Sequence, residues 1–235
     1  MSISKYFSRK LLTFQKRTFI IQRCALVGSY CHNPGAQPLQ YMTIGQLANN
    51  SVNSYGDSVA IVSEHQQTSM TFSEAVKQAD LLASGLLELG LQPGDRLGLC
   101  SSNTVQWYVT SIAAAKIGLI LVAINPAFVK NELEYCLRKV GAKALIMEET
   151  FKTQNFYEMM CEMAPEIKTT FPGSTVKSKS MPFLTMVIIT SSSKLPGTFR
   201  FDDILKSSGN FKALQEIESK IKPENASSIV FTSGT

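Results

Sequence analysis

The chain has 235 residues, 44% of them hydrophobic and 17% charged, enough to bury a core in one large domain with or without a leader, and too apolar for a disordered or coiled-coil chain. Six of its 23 basic residues lie within residues 1–56, where no acid precedes Asp57; the remaining 17 face 18 acids, a near balance that argues against a basic nucleic-acid-binding body. The five cysteines (Cys24, Cys31, Cys100, Cys136, Cys161) are odd in number and widely spaced, and only two histidines are present, which points away from a disulfide framework or a zinc centre.

Residues 1–35 read as a mitochondrial transit peptide. The segment holds Lys5, Arg9, Lys10, Lys16, Arg17 and Arg23, no acid, and several Ser and Thr. On a helix, Ile3, Phe7, Leu11 and Phe14 share one face while Lys5, Arg9 and Lys16 fall roughly opposite. A receptor of the mitochondrial import machinery takes the apolar face, and the membrane potential draws the cations inward. Gln22 and Arg23 interrupt the apolar run from Phe19 to Val27 that a secretory signal would need, and no stretch reaches the roughly 20 apolar residues of a membrane span. The alternative is a solvated basic tail that touches anionic lipid or nucleic acid.

The body, residues 36–235, reads as repeated strand and helix. Thr71 to Glu74 has capping-box spacing, and Phe72, Val76, Ala79, Ala83 and Leu86 repeat at helical intervals up to Gly90. Pro93-Gly94-Asp95 turns into a strand from Arg96 to Cys100. Asn103 is expected to cap a helix through Lys116 that Gly118 ends, before the continuous apolar strand Leu119 to Ile124. Asn125-Pro126 breaks that strand. Asn131 with Glu134 is expected to start another helix, with Leu133, Leu137 and Val140 on one side and Gly141 closing it, ahead of a strand from Lys143 to Met147. Residues 168–182 read as a surface loop and Leu184 to Ile189 as a strand, followed by the turn Leu195-Pro196-Gly197. Phe201 to Leu205 and Phe211 to Ile221 read as helices and Ser227 to Phe231 as a last strand. Alternation of this kind implies an α/β fold with a mostly parallel sheet flanked by helices.

Thr232, Ser233, Gly234 and Thr235 follow the last strand directly. A hydroxyl- and glycine-rich turn at the carboxyl end of a parallel strand suits phosphate, because glycine admits close backbone approach while N–H groups and hydroxyls donate to the anion. The segment is not a Walker loop, lacking the G-x-x-x-x-G-K-[ST] pattern.

Ile229-Val230-Phe231-Thr232-Ser233-Gly234-Thr235 resembles the start of the signature loop of the adenylate-forming superfamily. Thr71 to Ala75, Gly90 to Arg96, Asn103 with Trp107, and Ala113 to Gly118 resemble segments further upstream in that family. Asn125-Pro126-Ala127, Glu132 to Tyr135 and Phe151 to Gln154 resemble its medium-chain acyl-CoA ligases, and the resemblance covers about residues 40–235. It implies the incomplete N-terminal domain of the adenylate-forming fold, truncated within the phosphate-binding loop. It implies two steps: a fatty acid carboxylate attacks the α-phosphate of ATP, and coenzyme A thiolate then displaces AMP, with Mg2+ as the family's metal. Thr232, Ser233, Gly234 and Thr235 carry over as nucleotide-binding residues; no catalytic or metal-binding residue does. The chain alone is therefore expected to be inactive, the alternative being a non-catalytic binding module that retains the subdomain fold. Elsewhere, Trp107 and Tyr108 read as helix packing, Asn103 as a cap and Asn125-Pro126 as a turn beyond a strand end. Lys116 and Arg138 are expected to snorkel from helix faces, Cys100 and Cys136 to be buried, and His65 to sit in a loop.

Overall fold

The computed structural model describes residues 35–206 and 209–232. The leader expected over residues 1–35 therefore lies, apart from Gly35, outside the described residues. Local sequence sets the helix boundaries. Thr43 opens α1 (Ile44–Tyr55) with a reciprocal capping box to Gln46. No helix is expected there from the sequence, and in the structure Ile44 and Leu47 are exposed. The antiparallel hairpin of β1 (Val59–Ser63) and β2 (Thr68–Thr71) follows, with His65 in its turn as expected. Thr71 then caps α2 (Phe72–Glu88): its hydroxyl accepts the Glu74 N–H at 3.2 Å, and Glu74 accepts the Thr71 N–H at 2.8 Å.

The central elements are β3 (Arg96–Cys100), α3 (Val105–Lys116), β4 (Ile120–Ile124), α4 (Lys130–Val140) and β5 (Ala144–Met147). They are followed by the small hairpin β6 (Thr150–Phe151) and β7 (Gln154–Asn155), α5 (Phe156–Met163), a 3-10 turn at Pro165–Thr169, and β8 (Met186–Ile189). The described chain closes with β9 (Phe199–Arg200), α6 (Phe201–Leu205), α7 (Phe211–Glu218) and β10 (Ser228–Val230).

Six strands form one sheet in the order β10-β4-β3-β5-β8-β9, with every neighbouring pair parallel. The expected α/β class and mostly parallel sheet are thus what the chain adopts. The sheet buries both faces, and the period of two sorts its side chains. Leu97, Leu99, Leu121, Ala144, Ile146, Met186 and Ile188 pack with α2, α3 and α6. Cys100, Val122, Ile124, Leu145, Met147, Val187 and Ile189 pack with α4 and α5.

Several boundaries move. Asn103 is exposed and does not cap α3; Thr104 does, accepting the Trp107 N–H at 3.1 Å, because it stands three residues before that donor. Asn131 does not cap α4, whose first residue is Lys130; the Glu132 carboxylate instead takes the Val129 N–H at 2.9 Å. The stretch 168–182 is only partly surface, since Val176, Ser178 and Met181 are buried.

Lys116 departs furthest from expectation. It does not snorkel but is 2% exposed. Its Nζ lies 2.5 Å from Asp80 Oδ1, donates to Asn49 Oδ1 at 2.8 Å, and sits 3.7 Å from Glu218 Oε1. Asp80 Oδ1 has no other partner among the described residues. Asn49 in turn donates to Glu218 at 3.0 Å. One ammonium therefore joins α1, α2, α3 and α7; their convergence shuts out water, and the charge is paired in place. Arg138 stays at the surface, bonded to Glu134 and to the Ser180 carbonyl.

Candidate functional site

The helix after β3 packs on one face of the sheet and the helix after the adjacent β4 on the other. The chain parts between the carboxyl ends of these two strands, where open parallel sheets place their ligands. A cleft of about 490 Å³ opens there, lined by Ser101, Asn103, Trp107, Asn125, Phe128 and Thr232 among others.

Its walls are held by local bonds. Glu148, one residue past β5, accepts the Ser102 N–H and hydroxyl, both at 2.9 Å, and so clamps the loop that follows β3. Gln66 reaches from the β1–β2 turn to accept the Val105 N–H at 2.8 Å, satisfying a donor in the first turn of α3. Asn125 accepts the Ala127 N–H at 2.9 Å, which fixes the turn after β4. Tyr135 of α4 stands edge-on to Phe231, with ring centroids 6.3 Å apart.

Because β10 runs parallel to β4, its carboxyl end faces the same way, and Thr232 joins the lining of the cleft. Ser233, Gly234 and Thr235, the other expected nucleotide-binding residues, lie outside the described residues. Trp107 packs against the core, as expected of it, but also forms part of the cleft wall, as do Asn103 and Asn125-Pro126. The signal for these three was available in the sequence: each falls within a few residues of the carboxyl end of one of two consecutive buried strands.

The described lining carries hydroxyls, amides and an indole but no Lys, Arg, Asp or Glu. It can cradle an apolar or aromatic group and donate hydrogen bonds to an oxyanion. Magnesium takes its protein ligands mainly from carboxylates, so these residues alone do not fit that ion, and no step is routed through it. Cys100, at the end of β3, is buried. Desolvation pushes its thiol up to about 12, with smaller contributions from Glu148 and Cys136, which rules it out as a thiolate nucleophile at neutral pH.

A model of the AMP-binding enzyme family matches residues 48–235. The chain belongs to the AMP-binding enzymes. It is 38% identical over 212 residues to the mitochondrial medium-chain acyl-CoA ligase ACSF2 of Danio rerio, a match covering 89% of this chain and 35% of that protein. Against the Homo sapiens ACSF2 the identity is 35% over 210 residues, covering 88% and 34% respectively. Among solved structures, the anthranilate CoA ligase AuaEII in complex with anthranoyl-AMP superposes with a TM-score of 0.63 at 20% identity, covering 84% of this chain and 33% of that one. That likeness shows the fold, and the chain spans about a third of the length of the curated relatives it matches. Among the described residues no helix is long and apolar enough to cross a membrane.

Proposed function

We propose that this chain is the N-terminal part of an ATP-dependent fatty acid–CoA ligase of the mitochondrial matrix, delivered by the import machinery through a transit peptide at residues 1–35. The observation that carries the reading is the convergence of β3, β4 and β10 on one cleft, with Thr232 at its rim opening the hydroxyl- and glycine-rich loop of Ser233, Gly234 and Thr235. In the proposed first step the fatty acid carboxylate attacks the α-phosphate of ATP to give acyl-adenylate and pyrophosphate, and coenzyme A thiolate then displaces AMP. The role of this segment is to orient: loop donors hold the phosphate, and the Trp107, Asn125 and Phe128 wall excludes water from it. Two anions meet in that step, so cations must neutralise them, and the lining described here supplies none. The 235-residue chain alone is therefore proposed to be inactive, with ATP, Mg2+ and coenzyme A engaged mainly by residues outside it.

The same uncharged lining favours a second reading, a binding module that retains the subdomain without its chemistry. A chimera separates the two. Residues 36–235 replace the equivalent segment of the human relative, and ATP–pyrophosphate exchange is measured with octanoate. Exchange above the no-enzyme background is expected from the chimera and none from the 235-residue chain. A folded chimera without exchange would sink the ligase reading.

A further inference from the structure

A second and larger cleft, about 550 Å³, lies against β9, at the opposite edge of the sheet from β10. Its apolar floor is Leu89 at the end of α2, Phe199 of β9 and Ile204 of α6, with Pro172 at the side. A side chain at Gly85 would collide with Ile204, so the glycine is what lets α6 settle against α2 and form this floor. The rim holds Lys194 and Arg200.

Arg200 is unusual. Its side chain is 19% exposed, and among the described residues its Nε is buried without a hydrogen-bond partner and its guanidinium pairs only with Asp203, at 3.5 Å. Asp203 is half exposed and shared with Lys206 at 3.8 Å, so it neutralises Arg200 poorly. Glu88, the other carboxylate on the lining, has a partner of its own. On the lining Lys194 and Arg200 face Glu88 and Asp203 in equal number. The one long pair to a half-exposed Asp203 still leaves the largely desolvated guanidinium with room for a further acceptor above an apolar floor. A fork of this kind recognises carboxylate and phosphate oxygens. The volume lies within the range of small-molecule sites.

The geometry points to a binding site for a small amphiphilic oxyanion, a carboxylate or phosphate headgroup on an aliphatic chain, held by Arg200 and Lys194 with its tail on Leu89, Phe199 and Ile204. The site stands apart from the cleft of the proposed ligase reaction and does not rest on that reading. It is tested on the 235-residue chain by calorimetric titration with octanoate, octyl phosphate and inorganic phosphate, alongside the fluorescence of Trp107, the chain's single tryptophan, which lines the other cleft. Saturable binding of one or both octyl compounds is expected without a change in Trp107 emission, and their relative affinity identifies the headgroup. Arg200→Met is expected to weaken binding about tenfold or more, as loss of a charge-assisted pair does. Arg200→Lys, which keeps the charge and the fold but not the fork, is expected to fall between. Absence of binding at millimolar ligand, equal binding of inorganic phosphate, affinity unchanged in both variants, or quenching of Trp107 would each overturn the proposal.

Discussion

The two faces of the sheet are built by different means. Under α1, α2, α3 and α7 the interior is Leu- and Ala-rich, and four helices meet at the buried Lys116 ammonium with Asp80, Asn49 and Glu218. Under α4 and α5 the core carries no comparable charge among the described residues and is soft: Cys100, Cys136, Cys161, Met147, Met160, Met163 and Met181 share one buried cluster with Phe156. Sulfur-bearing side chains adapt to irregular gaps, whereas a buried ion pair tolerates few arrangements. One face is therefore specified by direction and the other by volume.

The largest expected effect tests volume. Phe156 is fully buried, and Phe156→Ala is expected to cost about 3 to 5 kcal/mol in urea denaturation. A loss under about 1 kcal/mol would show that the soft face closes over cavities and that volume does not specify it. Lys116→Met tests direction. It strands two carboxylates whose side chains are only 27% and 17% exposed, at an expected cost of about 3 kcal/mol. The double variant Lys116→Met with Asp80→Leu should recover much of that loss; if the two changes simply add, the joint is not a coupled unit.

Thr104→Ala probes a smaller polar device on the same face, the cap of α3, and is expected to cost about 1 kcal/mol, with hydrogen exchange rising first at the Trp107 amide. The last test separates the faces by pH. Cys100 keeps its proton in the folded state up to about 12, whereas an unfolded, solvated thiol titrates near its ordinary 9.0. Unfolding thus releases a proton in that window. The contribution is intact below pH 9 and is lost as pH rises toward 12. Cys100→Ala should flatten the alkaline slope of stability without altering it at neutral pH, and an unchanged slope would remove the thiol from the account.

The central fold was legible because its signals are local. The Thr71–Glu74 box, the Pro93-Gly94-Asp95 turn and the apolar run ending at Ile124 each act within a few residues, and α2, β3 and β4 fall where these signals put them. What escaped depends on partners distant in sequence. Lys116 reads as a surface lysine until Asn49, Asp80 and Glu218 arrive from three other helices. The two-residue strands β6, β7 and β9 have too little pattern of their own to register. Asn103 and Thr104 are neighbours with equal capping chemistry, and only the backbone decides that Thr104 faces the Trp107 amide. Of the candidate site, Thr232 was named from the sequence, whereas Asn103, Trp107 and Asn125 carried a usable signal, their place just past the carboxyl ends of two buried strands, that was read as capping, packing and a turn.

The pairing of β10 with β4 has a kinetic consequence. Ser228 sits beside Leu121, so this contact closes a loop of roughly a hundred residues, while β3, β4 and β5 find one another over far shorter spans. Contacts of such long separation form late, after the entropy of the intervening chain has been overcome by the rest of the sheet. The β4-β3-β5-β8 centre is therefore expected to assemble before β10, with Thr232 directly behind it, docks against β4.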